Sequence, residues 1–586
     1  MSDRYIGEAI RSTYDIIQWA KDNNKTGLIL LIDFEKAYDS LSFSYIKKCL
    51  KCLNFGESLI RWIELLLHNF SAVINHCGNI SEKIKIGRGA RQGDPIAIYL
   101  FIISIEILAH RIRSDSQIKG FKLENLVHKL EMYADDCTIF LEPASENLRA
   151  AVKTLSCFFK LSGLMISVSK TKAIWFGKNH NCEQRLCQDL QLDWDTKFRL
   201  LGVDFDNNLD TMESNFPLKI KAIDKLLNCW IYRTLTVYGK ITIIKTLALP
   251  KLSHLALVLP NLNKTQIKII ENMFFKFLWG NKPDKVSRDH CKLPEKAGGL
   301  GFTDINQFWQ SLKFSWLRRL CYSGGFWPKL LEKTVEKIEG VPVTIVDLLQ
   351  FGPSKLSAIG KKCSNDFWKQ IFCSAGDFMQ GALYSIPENV ILAPFWNNTI
   401  IKKNRKAIKI SDFPEIANKV SIVADFYDQE TGELLTKGEF EQKYECLLTN
   451  ETMVELNYII NTARAGLGIN NNVKIPFSRP IQPLLIKIIN VAKKGCSAYS
   501  KLLRKKNNLT GKLSEREKRW HLELQKTYGV DFWNRTYSLA ASIKNENKLK
   551  FFQFQINRNS LFTNYKVNNL SHMSPLFVHF AVILMV

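Results

Sequence analysis

Residues Lys129 to Leu141 read Lys-Leu-Glu-Met-Tyr-Ala-Asp-Asp-Cys-Thr-Ile-Phe-Leu, with apolar residues on both sides of two adjacent aspartates. Alternation about a tight acidic centre predicts a β-hairpin whose turn carries Asp135 and Asp136. Adjacent side chains on a strand face opposite ways, but at a turn both can converge on one cation. Two close carboxylates repel each other, and a divalent metal removes that penalty.

A third carboxylate belongs with them. Leu28-Ile29-Leu30-Leu31-Ile32 is a short continuous apolar run behind Gly27, the pattern of a strand buried on both faces. Asp33 ends it, a costly place for a charge unless it lines a site. Oxygen donors from two strands suit Mg²⁺, which takes one or two carboxylates plus substrate phosphates. The plainer reading makes Asp135 and Asp136 a polar turn and Asp33 a helix cap.

Around these positions helices and strands alternate irregularly. Ile6, Ile10, Tyr14, Ile17 and Ala20 predict an amphipathic helix within residues 1–26, broken by Gly27. Helical spacing resumes from Ile46 to Leu67 and over Ile96–Ile112 and Leu148–Leu164, and Lys197–Phe205 reads as one more strand. The pattern is α+β or α/β through residue 205. From about 215 the stripes are helical: Lys219–Tyr232, Ile241–Leu249, Lys264–Trp279 and Phe308–Leu320. A hairpin is expected within Val420–Leu435, around Glu430-Thr431-Gly432.

Charge says what such a chain meets. Lys and Arg number 81 against 56 Asp and Glu, a net +25, in a 67.5 kDa chain that is 46% hydrophobic. That excludes wholesale disorder and points to a polyanion such as nucleic acid or an anionic membrane. Between Lys487 and Arg519 stand eleven Lys/Arg and two Glu. No apolar stretch reaches the roughly 18 residues that span a bilayer, so no membrane partner is expected. The 14 cysteines lack a paired rhythm, which favours reduced thiols in an intracellular setting. Cys49 with Cys52, and His180 with Cys182 and Cys187, fall short of a zinc set. Trp279, Trp316 and Trp520 lie near basic residues and could stack on bases, although helix-stripe aromatics are more often core.

The motifs together resemble a known family. Tyr133-Ala134-Asp135-Asp136 is similar to the catalytic box of reverse transcriptases, Asp33-Phe34-Glu35-Lys36-Ala37-Tyr38-Asp39 to the aspartate box before it, and Arg91-Gln92-Gly93-Asp94-Pro95 to the box between. Their order and spacing resemble the non-LTR, LINE-type retrotransposon enzymes. Phe198-Arg199-Leu200-Leu201-Gly202-Val203 resembles that family's primer grip. Trp230, Gly239-Lys240-Ile241, Leu249-Pro250-Lys251-Leu252 and Gly298-Gly299-Leu300-Gly301 resemble its thumb segments. The resemblance implies a right-hand polymerase palm, an antiparallel sheet with helices, over 1–205 with partial fingers. It implies a helical thumb over 206–330 and leaves 331–586 as a basic, mostly helical region.

Carried over by residue, it implies that Asp33, Asp135 and Asp136 hold two Mg²⁺ ions (Mn²⁺ a substitute) and that Lys170 protonates the departing pyrophosphate. Tyr38 would exclude a 2′-hydroxyl; Arg91, Gln92 and Gly93 would face template and nucleotide, with Arg88 near phosphates. Leu201 and Gly202 would grip the primer. The partners implied are an RNA template, a DNA primer and dNTPs, with a separate endonuclease activity.

Departures divide the reading. Arg4-Tyr5-Ile6-Gly7-Glu8 resembles a point inside the family's polymerase domain, so an amino-terminally truncated member is expected. Ile96-Ala97-Ile98-Tyr99 stands for Leu-Ser-Pro-Tyr, Ser167 for asparagine, and Phe577 and Phe580 for zinc-knuckle cysteines. One expectation is therefore an RNA-directed DNA polymerase; the other is an impaired relic that only binds nucleic acid. An RNA-templated RNA polymerase is disfavoured by Tyr38. Lys402-Lys403-Asn404-Arg405-Lys406 suggests nuclear entry.

Overall fold

The computed structural model describes residues 5–557 apart from 36, 68–70, 90–92, 167–170, 386–394, 397–400, 404–405, 418, 429–430, 466–514, 524, 530–531, 534 and 539–546. They divide into two compact units, one of 1–215 with 324–330, the other of 216–323 with 331–586.

The first unit is built on a five-stranded sheet. In chain order its elements are helix α1 (Ile6–Asp22), strand β1 (Thr26–Ile32), helices α2 (Phe43–Cys52), α3 (Glu57–Leu67) and α4 (Pro95–Ser114), then strands β2 (Leu130–Tyr133) and β3 (Asp136–Leu141). Helix α5 (Ser145–Ser162), strands β4 (Lys172–Gly177) and β5 (Asp193–Trp194), and a hairpin of β6 (Lys197–Leu200) and β7 (Val203–Asp206) follow. The sheet order is β5-β4-β1-β3-β2. Its pairs are antiparallel, as expected for the palm, with the short edge pair of β4 and β5 parallel.

The apolar run of β1 sits at the centre, paired on both edges and covered on both faces, which is why it shows no alternation. On one face Leu28, Leu30 and Ile32 join Cys137, Ile139 and Leu141 of β3 and the core of α2, α4 and α5 (Ile46, Leu50, Leu100, Phe101, Leu155). On the other face Phe176 of β4 meets Phe121 at 4.9 Å between ring centroids, and Phe121 meets Trp19 of α1 at 6.2 Å.

Three readings change. Gly27 lies inside β1 and does not break a helix; a Cβ there would stand 2.2 Å from the Phe176 ring, so the position is glycine because an aromatic ring packs onto it. Helix α1 is buried nearly all round rather than amphipathic. Arg11 and Asp15, one turn apart, form a buried ion pair, and the guanidinium lies 4.3 Å from the Tyr14 ring centroid. Residues 197–205 are a hairpin, not one strand, because Leu201 (φ 48°) and Gly202 (φ 82°) make a two-residue turn.

Helix α4 is long and apolar enough to cross a membrane, against the expectation of no such stretch. One side of it, including Leu100, Phe101, Ile105, Leu108 and Ile112, is buried in the core of the first unit.

The second unit begins within helix α6 (Asn215–Ile231) and is mostly helical, with one short antiparallel pair, Lys402–Lys403 with Lys406–Ala407. Trp316 is fully buried and donates its indole N–H to the Leu257 carbonyl at 2.7 Å; Trp279 is 5% exposed. Neither ring is free to stack on a base, whereas Trp520 is half-buried. The expected hairpin near 430 is a reversal with one bridge, Tyr427 to Leu434, preceded by a 3₁₀ turn over Val423–Phe426; Glu430 lies outside the described residues. So do most of the basic residues between 487 and 519.

Candidate active site

Strand register brings the acidic residues together. Ile32 pairs with Cys137, so continuing the antiparallel ladder by one residue sets Asp33 opposite Asp136. Directly opposed residues on adjacent strands have Cβ atoms about 5 Å apart on one face of the sheet. Asp136 in turn pairs with Tyr133, leaving Ala134 and Asp135 as the two-residue turn of the β2–β3 hairpin. Ala134 has φ 54°, the left-handed region that side chains other than glycine rarely adopt. Strain of this kind is tolerated where a turn must present particular groups.

The electrostatics agree with the register. The Asp136 carboxyl is pushed up to about 6, first by desolvation in the surrounding protein and then by the charges of Asp135 and Asp33. All three side chains nevertheless reach solvent. In general a divalent cation offsets the repulsion between neighbouring carboxylates of the kind that raises Asp136. No group of three or more His, Cys, Asp or Glu among the described residues forms a ready-made metal cage.

Tyr38 stands beside this trio. It follows Asp33 on a helical turn, Ala37–Ser40, and its ring lies 4.6 Å from that of Phe101 on α4. Its hydroxyl is held above the ordinary tyrosine range by burial and then by the charge of Asp135. Phe101, which backs the ring, was not singled out by sequence; its place on the buried stripe of α4 was the available signal.

Arg91 and Gln92 lie outside the described residues, but both flanks of their loop are anchored. Gly89 donates its N–H to the Leu41 carbonyl at 2.8 Å, and a Cβ there would stand 2.6 Å from the Asp39 carbonyl oxygen. Arg88 bridges to Ser42. On the other flank Gly93 has φ 88°, and Asp94 caps α4 by accepting from the Ile96 N–H at 3.1 Å, with Pro95 in the first turn. The loop is thus tied to the segment that carries Tyr38. Gly89 is the glycine that close approach requires; Gly87 has open space around it.

Lys170 also lies outside the described residues. Its neighbour Lys172 is bound to Asp195. Leu201 and Gly202 form the tip of the β6–β7 hairpin, stiffened by Phe198 stacked on Phe205 at 5.1 Å and 9°. Asn215 ties its base by accepting from the Asp204 N–H at 2.8 Å. His180 bonds the Gly177 carbonyl, and no cysteine near it completes a metal set among the described residues.

Residues 5–205 match the family model described as reverse transcriptase (RNA-dependent DNA polymerase). Over 313 residues the chain is 22% identical to the Transposon TX1 uncharacterized 149 kDa protein of Xenopus laevis, covering 53% of this chain and 24% of that one. It is 26% identical over 322 residues to the Pol polyprotein from type-2 retrotransposable element R2DM of Drosophila melanogaster, covering 52% and 29%. It is 29% identical over 170 residues to the Pol polyprotein from type-1 retrotransposable element R2 of Popillia japonica, covering 29% and 23%. The chain therefore spans about a quarter of the length of these relatives. Among solved structures, telomerase from Candida tropicalis, in complex with a fragment of telomeric RNA, aligns with a TM-score of 0.29 and 13% identity over 63% of this chain and 52% of that one.

Proposed function

We propose that this chain, whose residues 5–205 form a reverse transcriptase domain of the non-LTR retrotransposon kind, works as an RNA-directed DNA polymerase. A primer 3′-hydroxyl would attack the α-phosphate of a dNTP and release pyrophosphate. The observation that carries this reading is the register that sets Asp33 opposite Asp136, with Asp135 in the adjoining turn. Reliance on divalent cations is general in the family. A pair of Mg²⁺ ions, held by Asp33, Asp135 and Asp136, would stabilise the attacking and leaving oxygens.

The chain's own residues supply the rest. Tyr38, backed by Phe101, would meet a 2′-hydroxyl by steric clash, so that deoxynucleotides are preferred. Gln92 and Gly93 would face template and nucleotide, with Arg88 and Arg91 near phosphates. Lys170 would give a proton to the leaving pyrophosphate. The tip at Leu201-Gly202 would hold the primer strand. Residues 206–330 would act as the thumb, and the basic residues beyond would bind nucleic acid without reading sequence. Entry into the nucleus, through the cluster around Lys402, belongs to the same proposal.

Primer extension on poly(rA)/oligo(dT) with Mg²⁺ tests the reading. The expected result is incorporation of dTTP over UTP, abolished by Asp135→Asn. Binding of primer–template without any incorporation by the parent chain would overturn it in favour of a protein that only holds nucleic acid.

A further inference from the structure

Two motifs of the second unit, far apart in sequence, meet the same carboxy-terminal residues. One is Gly239-Lys240-Ile241, within the helix Val237–Ile243; the other is Gly298-Gly299-Leu300-Gly301. Lys550, on the helix Asn547–Asn557, has a side chain only 14% exposed. Its ammonium lies 2.5 Å from a Glu295 carboxylate oxygen and 4.7 Å from the ring centroid of Tyr238. Tyr238 is buried, and its hydroxyl is held above the ordinary tyrosine range by burial and then by the charge of Glu295. Three stretches of chain thus meet in one ion pair and one ring. A second contact stands beside it. Tyr537, also buried, lays its ring on Gly298, where φ is 72° and a Cβ would stand 2.8 Å from that ring. The Tyr537 hydroxyl donates to Glu517 at 2.9 Å, and its ring lies 6.0 Å from that of Trp533, whose indole N–H donates to His521 at 3.2 Å.

The chemistry of these contacts says more than that a helix is packed away. Apolar side chains alone would serve for cover. A mostly buried ion pair adds little stability but penalises every other arrangement, because each would leave a charge without its partner. A ring that needs a glycine beneath it is equally exacting. We propose that residues 515–557 latch the thumb: Lys550 and Tyr537 are positioning residues that hold the helix Val237–Ile243 and the turn at Gly298 in one geometry. Held so, the thumb keeps its primer–template between successive additions. The inference rests on the preceding reading in taking these motifs as the thumb of a polymerase.

The test measures release of a fluorescent poly(rA)/oligo(dT) primer–template from the full chain, without nucleotides and in an Asp136→Asn background. A parent chain that fails to polymerise then sinks the preceding reading alone, and release still decides this one. Lys550→Glu sets two carboxylates against each other and should quicken release about fivefold, the low end of coupling between distant groups. Lys550→Met, which keeps the stem and its packing, should quicken release in the same direction. Reversing the pair, with Lys550→Glu and Glu295→Lys together, should recover part of the loss, which general destabilisation would not allow. With the acidic trio intact, the same variants should make shorter products per encounter under a heparin trap, while the rate of the first dTTP addition from the bound complex stays that of the parent. Release from Lys550→Glu and Lys550→Met at the parent's rate, or no recovery in the reversed pair, would overturn the proposal. A slowed first addition would do so as well, by placing the fault in the catalytic site.

Discussion

Tyr38 carries two constraints at once: its ring rests on Phe101 and its hydroxyl sits in the field of Asp135. Removing the ring opens space beside the acidic trio without touching a carboxylate. Tyr38→Ala should raise UTP incorporation relative to dTTP by about tenfold, the scale of discrimination that a small steric difference supports. Tyr38→Phe should keep the parent preference, because the exclusion is steric. Competition between the two nucleotides in primer extension measures it; an unchanged ratio in Tyr38→Ala would make the residue merely a packing tyrosine. The same scale governs Arg11 and Asp15, which are nearly inaccessible. Replacing Asp15 with Ala leaves a charge buried without this partner and should cost roughly 3 kcal/mol in chemical denaturation. Helical spacing could not announce this pair. An Arg four residues from an Asp reads as a solvated face until tertiary packing closes over it.

At the level of elements, what was legible and what was not divide by physical cause. The acidic hairpin was plain in the sequence because alternation and a tight turn are both local properties, and β2 and β3 follow that reading. The strand before Asp33 was plain because five apolar residues in a row have few other uses. The β6–β7 hairpin was missed because Leu201 tolerates a positive φ that its identity does not advertise. Gly27 was misread because a glycine that ends a helix and one that admits a ring look alike in sequence. Its role is testable: Gly27→Ala should cost about 2 kcal/mol through overpacking, because Phe176 is held between strands and cannot swing away. Thermal denaturation measures the loss, and Gly27→Ala combined with Phe176→Leu should recover part of it. The loop holding Arg91 and Gln92 was legible as a motif, but its anchoring through Gly89 onto Asp39 and Leu41 joins residues some fifty positions apart, which no local pattern encodes.

For the whole molecule, the informative fact is that the chain leaves the first unit at Asn215 and returns to it for residues 324–330. In that returning segment Phe326 lies 4.2 Å from the His128 ring, and His128 lies 5.1 Å from Phe140 of β3, the strand that begins at Asp136. A distant segment thus braces the sheet that presents the acidic trio. Sequence could not show this, since a docking contact between remote positions leaves no periodic mark on either. Ring pairs in contact are worth about 1 kcal/mol beyond the area they bury. Phe326→Ala should therefore lower the stability of the first unit by at least that amount, and Phe326→Leu, which keeps apolar cover but loses the ring, by less. Amide hydrogen exchange in the full chain reads the effect where it belongs: protection should fall along β3 and its neighbour β1, which pair residue by residue. Protection in Phe326→Ala equal to the parent along both strands would mean that the returning segment lies against the unit without bracing it.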